Sequence, residues 1–325
     1  MTSIVPANPQ CIIYALATSS DYIYGTKGIC FAATSDGLYR QEIVHAGQDT
    51  WKYAFESLGL NEALPTTSVV LSPDFRKDGK VFAGVNGGIL RSHDQGVHWE
   101  AVTFPPPSPV VSCLAISPNF VNDEILFAGT MEDGVLTSQD EGRRWVSWNF
   151  GLLDLNVLCI GVSPAFARDE TVFVGTETGI FRSTNGGRSW REIELPIGYE
   201  PVISLGLSPN YEQDGQLIIG TENAGLLRGY DRGKRWEQIT ICGQEGLDPV
   251  NAVLISSRFP EEGEIMALTG ARICRSVDAG KSWEVMVEVA DGEANICTIA
   301  APRGLGPGHP ILIGSLGGKI TLLRS

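Results

Sequence analysis

The chain has 325 residues, 43% of them hydrophobic, with 38 glycines, 18 prolines and a formal net charge of −14. This excess of negative charge excludes nucleic acid and anionic membranes as main partners, because both would repel the protein. Since no apolar stretch approaches the length of a membrane span and residues 1–12 contain no secretion signal, we expect neither a membrane span nor a leader.

Short strand-like runs begin near residue 10 and continue to the end of the chain. The first unit supplies four of them, QCIIYALAT, GICFAAT, GLYRQ and WKYAFES. The third unit gives VVSCLAIS, EILFAGT, GVLTS and RWVSWNF, and later units keep this order. The runs are rich in Val, Ile, Leu and Phe and are separated by Gly, Pro, Asn and Asp, which indicates strands joined by tight turns. No long segment has a helical period, so we expect little helix.

A ten-residue phrase returns five times between the third and fourth runs of its unit. It reads RSHDQGVHWE, TSQDEGRRWV, RSTNGGRSWR, RGYDRGKRWE and RSVDAGKSWE, and its tryptophans lie 46, 45, 46 and 47 residues apart. Four-stranded repeats of about 40–50 residues are typical of β-propeller blades. The last unit has only three runs, ANICTIAAP, HPILIGS and GKITLLRS, whereas residues 2–5 precede the first unit and have no other role.

We therefore predict an all-β protein, a seven-bladed β-propeller that forms a single domain over residues 1–325. The four-stranded blades are expected at residues 10–56, 66–104, 110–150, 157–195, 201–241, 250–289 and 295–325. The N-terminal strand at residues 2–5 is expected to close the last blade, which leaves the ring without an open end.

The repeated phrase has the residues of a structural hairpin. Ser92 and Asp94 are suited to hydrogen-bond nearby backbone groups, Gly96 tolerates a positive φ, and Trp99 offers a large ring for packing. Because a motif repeated around a ring cannot lie at one catalytic centre, we interpret it as architecture. The residues predicted to have this structural role are Asp94, Trp99, Asp140, Trp145, Asn185, Trp190, Asp231, Trp236, Asp278 and Trp283.

The phrase resembles the Asp-box, also called the BNR repeat, of sialidases, sortilin-type receptors and photosystem II assembly factors, within the WD40/YVTN/BNR-like superfamily. The resemblance spans essentially the whole chain. It implies a structural hairpin on the face opposite the usual binding site and does not specify a function. The sequence departs from the pattern at Asn185, which replaces Asp, and at Gly229, which replaces Ser.

Other residue types that could carry chemistry have simpler explanations. The seven cysteines, without an export signal, predict reduced thiols and a cytoplasmic location. Three of them share a register in the innermost strands and are expected to be packed and inert. The four histidines have no cysteine partner at ligand spacing, so we predict no metal and no cofactor. Arginines also recur in register and are expected to make contacts between blades (Arg40, Arg91, Arg182, Arg228, Arg275 and Arg324).

Functional residues are expected where the units differ, namely in the turns between strands 2 and 3 and in the loops between strand 4 and the next blade. In a propeller these connections emerge on one face. The turns carry mostly acidic or amide residues, Asp36, Asn86, Glu132, Asp133, Glu177 and Glu222, and the loops add Glu56, Glu62, Asp154, Glu200, Glu245, Asp248, Asp291 and Glu293. Phe104, Trp148, Phe150 and Tyr199 are candidate apolar anchors on the same face. Basic residues concentrate in the connections of the opposite face.

We predict a non-catalytic binding or assembly protein that recognises a basic protein segment or a cationic small molecule at this acidic face. It is expected to act as a monomer. One alternative is a glycoside hydrolase-like or lyase-type enzyme with carboxylates such as Glu132 and Glu177 at the mouth of the central channel. Another is a purely structural or oligomer-forming ring. The sequence identifies no catalytic residue.

Overall fold

The computed structural model describes residues 2–3, 8–43, 50–59, 63–242, 248–261, 263–270, 272–289 and 295–324. Its strands form seven antiparallel sheets of four strands each, which are the blades of a ring. The first strands of neighbouring blades contact one another around the ring, so the first strand of each blade lies innermost and the fourth outermost. The structure thus confirms the predicted seven-bladed β-propeller.

The strands follow the chain in order. Blade 1 contains β2 (Ile13–Thr18), β3 (Gly28–Thr34), β4 (Gly37–Ile43) and β5 (Trp51–Tyr53). Blade 2 contains β6 (Thr66–Leu71), β7 (Val81–Val85), β8 (Gly88–Ser92) and β9 (Glu100–Ala101). Blade 3 contains β10 (Val110–Ile116), β11 (Leu126–Met131), β12 (Val135–Ser138) and β13 (Val146–Ser147). Blades 4, 5 and 6 contain β14 (Val157–Val162), β15 (Val172–Thr176), β16 (Ile180–Ser183) and β17 (Arg191–Ile193); β18 (Val202–Leu207), β19 (Leu217–Thr221), β20 (Leu226–Tyr230) and β21 (Arg235–Ile239); and β22 (Val250–Ile255), β23 (Ile265–Thr269), β24 (Arg272–Ser276) and β25 (Glu284–Glu288).

The seventh blade joins the two ends of the chain. It contains β26 (Ile296–Ala300), β27 (Pro310–Ser315) and β28 (Lys319–Arg324), with β1 (Thr2–Ser3) as its outermost strand. Strand β1 pairs antiparallel with β28 through Thr2 opposite Ile320 and Ser3 opposite Lys319. The predicted closure by the N-terminal strand is therefore confirmed, although residues 4 and 5 of that prediction lie outside the described residues.

The second strand of each blade forms the centre of the core. Strands β3, β7, β15, β19 and β23 are buried at every position, because each is covered by blades on both sides and by strands at both edges. A glycine in this strand admits a small side chain of the first strand. A Cβ atom on Gly129, for example, would lie 2.5 Å from Cys113 Sγ, and one on Gly220 would lie 2.2 Å from Ser204 Oγ. This close approach explains why cysteine and serine share one register there.

The repeated phrase forms a hydrogen-bonded hairpin in blades 2, 3, 4 and 6. In blade 2 the Ser92 hydroxyl donates to Asp94 (2.8 Å) and accepts from the Gly96 amide (3.0 Å). The His98 amide donates to Asp94 (2.9 Å), and Trp99 Nε1 donates to the Gly96 carbonyl (3.1 Å). The two residues at the bend have positive φ angles, 63° and 79° at Gln95 and Gly96, which explains the glycine.

Blade 5 keeps the tryptophan but builds a different hairpin. A Cβ on Gly229 would lie 2.9 Å from the Trp236 ring, so the serine of the other blades does not fit here. Without that hydroxyl, the strands continue further and Tyr230 pairs with Arg235 across a four-residue turn. Arg235 Nε donates to Asp231 (2.6 Å), which fixes the turn by an ion pair between side chains.

The hairpin carboxylates should make the fold sensitive to acid. Hydrogen bonds from the side chain and amide of Ser282 lower the pKa of Asp278 to about 2. Burial raises the pKa of Asp94, but hydrogen bonds from the amide and ring of His98 outweigh it and lower that pKa to about 2 as well. Because the folded pKa lies below the unfolded value of about 4, this stabilisation is complete above about pH 4 and is lost as the pH falls toward 2.

We therefore expect the double variant Asp94→Asn/Asp278→Asn to lose less stability between pH 5 and pH 3 than the wild type, because asparagine cannot be protonated. Blade 4, which already has Asn185 in this place, provides the reciprocal control: Asn185→Asp should make the loss steeper. Urea unfolding followed at both pH values measures the two differences. Identical pH dependence in all three proteins would contradict the assignment.

A second repeated motif, not recognised in the sequence, lies between strands 1 and 2. Four-residue helices begin at an aromatic residue and end at an aspartate: α1 (Phe75–Asp78), α2 (Phe120–Asp123), α3 (Phe166–Asp169) and α4 (Tyr211–Asp214). The serine before each helix donates to this aspartate, as Ser117 does to Asp123 (2.6 Å). The aromatic ring packs edge-on against a phenylalanine of the preceding blade, with ring centroids 5.7 Å apart for Phe82 and Phe120. The aromatic residue at the start of each helix thus joins its own blade to the preceding one by direct packing.

The recurrent arginines also join neighbouring blades. Arg40 donates to the carbonyl of Gln95 (2.8 Å), Arg182 to that of Arg232 (2.8 Å), and Arg228 to that of Ala279 (2.7 Å). Each acceptor lies in the repeated hairpin of the next blade. The predicted inter-blade role is confirmed for these three side chains.

Candidate functional site

The turns between strands 2 and 3 share one face of the ring with the loops that lead into the blades. We call this surface, with its carboxylates Asp36, Glu132, Asp133, Glu177 and Glu222, the acidic face. In five blades a turn amide donates to the residues just before the first strand of the same blade: Ser35 to Ile12, Asn86 to Pro65, Glu222 to Pro201, Gly270 to Pro249 and Leu316 to Asn295. Four loop carboxylates of the prediction, Glu62, Glu245, Asp291 and Glu293, lie outside the described residues.

A chain of hydrogen bonds crosses the acidic face from blade 3 to blade 4. Asn156 accepts from the Glu132 amide (2.9 Å) and donates to the Glu177 carboxylate (2.9 Å). Asp154 accepts from both the amide and the hydroxyl of Thr178, each at 2.9 Å. Because Asp154 and Asn156 belong to the loop between the two blades, this loop holds the turns of both blades in a fixed relation.

The chain continues from blade 4 to blade 5. The Glu200 amide donates to the Thr178 carbonyl (3.4 Å), and the Glu200 carboxylate accepts from the Asn223 amide (2.5 Å). Two loop carboxylates, Asp154 and Glu200, therefore hold neighbouring turns together rather than facing solvent without partners.

Charged side chains are partnered differently on the two faces. Within the described part of the chain, the exposed carboxylates of Glu132, Asp133 and Glu222 form no ion pair and accept no hydrogen bond. The opposite face carries the hairpins and the helices α1–α4, and we call it the hairpin face. Seven of its basic side chains form ion pairs, namely Arg76–Asp21, Lys77–Asp74, Lys80–Glu141, Arg143–Glu141, Arg144–Asp140, Arg168–Glu212 and Arg188–Glu170. Three exposed carboxylates of the acidic face thus have no partner among the described residues, whereas seven basic side chains of the hairpin face have one.

The remaining predicted site residues lie in different surroundings. Asp36 is partly buried and accepts from Asn8 Nδ2 (2.6 Å), whereas Asn86 is exposed on its turn. The centroid of the Trp148 ring is 5.8 Å from the Arg188 guanidinium, and the Trp148 carbonyl accepts from Trp190 Nε1 (2.9 Å). The structure therefore packs Trp148 against the next blade's hairpin, while Tyr199 is 81% exposed.

Two grooves flank the outermost strand of blade 4, and the sequence analysis did not identify either. One, of about 440 Å³, is lined by Thr178, Gly179, Glu192, Ile193, Glu194, Leu195, Gly198 and Tyr199. The other, of about 540 Å³, shares the wall from Glu192 to Leu195 and adds basic residues, Arg182, Arg191, Arg232 and Lys234. Residues 192–195 thus separate a groove whose charged side chains are carboxylates from one rich in arginine.

The described residues contain no group of three His, Cys, Asp or Glu side chains that could hold a metal ion. None of their helices has the length and hydrophobicity that crossing a membrane requires. Burial raises the pKa of the Cys113 thiol to about 11 and raises that of Cys159 as well. These inner-strand thiols are therefore protonated at neutral pH, which makes them poor nucleophiles.

Solved structures with the same fold come from proteins of different kinds. The chain matches the extracellular domain of BT4673, a putative one-component system of B. thetaiotaomicron, with a TM-score of 0.73 and 17% identity, over 100% of this chain and 40% of that one. It matches the GH74 enzyme of Niastella koreensis with a TM-score of 0.75 and 16% identity, over 98% of this chain and 53% of that one. Because the chain spans only about half or less of these two proteins and the identities are low, the matches establish the fold alone.

A structure of YCF48 bound to D1 peptide agrees with this chain over nearly the full length of both proteins. The TM-score is 0.68 at 14% identity, and the match covers 99% of this chain and 97% of that one. No curated protein sequence matches the chain.

A protein-family model matches the second half of the ring. A model of the family described as Photosynthesis system II assembly factor YCF48 matches residues 146–318, more than half of the 325 residues. This stretch runs from the outer strand of blade 3 to the turn before the last strand of blade 7. The chain belongs to the Photosynthesis system II assembly factor YCF48 family.

Proposed function

We propose that this propeller is a non-catalytic binding and assembly protein that recognises a basic protein segment at its acidic face. The observation that carries the proposal is the set of exposed carboxylates on this face, Glu132, Asp133 and Glu222, that have no partner among the described residues, opposite a hairpin face on which seven basic side chains are paired with acidic ones. Such an arrangement attracts cationic segments and increases their rate of association. Family membership supports an assembly role, and the relative bound to D1 peptide supports a peptide as the ligand.

The acidic face can be tested with the triple variant Glu132→Gln/Glu177→Gln/Glu222→Gln. The probe is a fluorescent 15-residue peptide of glycine and serine with four arginines and one phenylalanine, and its counterpart has glutamate for arginine. We expect the triple variant to bind the basic peptide about tenfold more weakly by fluorescence anisotropy, because three exposed charge pairs contribute roughly 0.5 kcal/mol each.

The matched control removes the same charge elsewhere. Glu100, Glu237 and Glu284 lie on the outer strands of blades 2, 5 and 6, and their replacement by glutamine should leave the affinity within about twofold. Tighter binding of the acidic peptide, or equal affinities of the two triple variants for the basic one, would refute recognition at this face. The monomeric state and the cytoplasmic location stay predictions, which light scattering and cell fractionation would test.

A further inference from the structure

We propose that the 440 Å³ groove beside β17 is a pocket for one arginine side chain of the bound segment. This inference rests on the proposed function and locates its main contact on the outer part of blade 4. We call the groove the Tyr199 pocket, and its lining consists of the turn residues Thr178 and Gly179, residues 192–195, and Gly198 with Tyr199.

The walls of the Tyr199 pocket match the two chemical characters of an arginine side chain. Ile193 is partly buried and provides an apolar wall for the methylene groups, whereas Leu195 is 6% exposed and belongs to the core. Gly179 leaves its side of the pocket open because nothing lies within 4 Å of its Cβ position. The Tyr199 ring, 81% exposed, offers a face on which a planar guanidinium can stack.

The charges of the pocket determine the sign of its ligand. Its charged lining residues are Glu192 and Glu194, and within the described residues neither carboxylate forms a hydrogen bond or an ion pair. A guanidinium between these carboxylates would provide donors in a geometry that carboxylates accept, whereas an anion would be repelled.

The neighbouring groove restricts the direction of the segment. Arg182, Arg191 and Arg232 line that groove on the other side of residues 192–195 and would repel a second cation placed there. The bound segment is therefore expected to run from the Tyr199 pocket across the acidic face. Thr178, which lines the pocket, is held by Asp154, so this path begins at the fixed loop between blades 3 and 4.

The test measures binding of the arginine-containing peptide defined above by four variants. Tyr199→Ala and Glu194→Gln are each expected to weaken binding about threefold, and Tyr199→Phe should bind as the wild type because the ring is retained. Val97→Ala is the control: Val97 is 51% exposed in the hairpin of blade 2 and does not line the pocket, so its removal should leave the affinity unchanged. A peptide with lysine for arginine should bind several-fold more weakly.

The outcome separates this inference from the proposed function. If Glu132→Gln/Glu177→Gln/Glu222→Gln weakens binding while Tyr199→Ala and Glu194→Gln do not, the Tyr199 pocket is refuted and recognition at the acidic face stands. Equal losses in Tyr199→Ala and Val97→Ala would also overturn the pocket. Because both side chains are exposed, unchanged melting temperatures are expected for all variants, which makes the affinities directly comparable.

Discussion

Replacing Phe120 with alanine is expected to lower the free energy of unfolding by about 3–5 kcal/mol. The ring of Phe120 is 1% exposed and lies edge-on to Phe82 of the preceding blade, and Lys80 Nζ is 5.7 Å from its centroid. Alanine would leave a cavity at the junction of two blades, where the rigid sheets cannot easily collapse. Chemical denaturation followed by tryptophan fluorescence measures the loss.

The same helix supplies the control for this prediction. Val121 is the next residue and is 54% exposed, so Val121→Ala should change the unfolding free energy by less than about 0.5 kcal/mol. Similar small effects of both substitutions would show that the packing of Phe120 on Phe82 does not hold the two blades together.

Ile13→Ala is expected to cost about 2–5 kcal/mol, because Ile13 lies at the junction of the first and last blades. It is fully buried in a cluster with Cys30 of blade 1 and with Leu312 and Ile320 of blade 7. A Cβ atom on Gly314 of blade 7 would lie 3.0 Å from Cγ2 of Ile13, which shows how closely the two blades approach.

Removal of residues 1–3 should lower the free energy of unfolding by about 1–2 kcal/mol, because β1 contributes only a two-residue ladder. This loss is smaller than the one expected for Ile13→Ala. Tyr14→Ala, at a residue that is 43% exposed beside Ile13, controls for substitution in this strand. Thermal unfolding of the three proteins gives the ranking. A larger loss on truncation than in Ile13→Ala would place the closure of the ring mainly in its terminal strand.

The number of blades and the closure could be predicted because both depend on features that repeat along the chain. Trp99, Trp145, Trp190, Trp236 and Trp283 mark the period, and their hairpins depend on local bonds such as those of Ser92 and Asp94. The helices α1–α4 were missed because four residues are too few to display a helical period. Their sequence pattern was nonetheless present: a serine, an aromatic residue and an aspartate recur before the second strand of each blade from 2 to 5.

The candidate site was less accessible to sequence reasoning. The acidic character of the turns follows directly from Glu132, Glu177 and Glu222, but which carboxylates lack partners depends on the ion pairs of the folded ring. Trp148 stood out in the sequence yet packs beside Arg188, because the outer strand of blade 3 ends at the hairpin of blade 4. The Tyr199 pocket could not be predicted, since its lining residues, all between Thr178 and Tyr199, form a groove only once the turn, the outer strand and the loop are folded against one another.

The hydrogen bonds that link Glu132, Asn156, Glu177, Thr178 and Glu200 have a consequence for the thermodynamics of association. Irregular segments on protein surfaces commonly lose conformational entropy when a ligand orders them. Here the segments between blades 3, 4 and 5 are already fastened to one another before any ligand arrives. The proposed recognition surface is therefore preorganised, and we expect the entropic penalty of complex formation to fall mainly on the incoming chain.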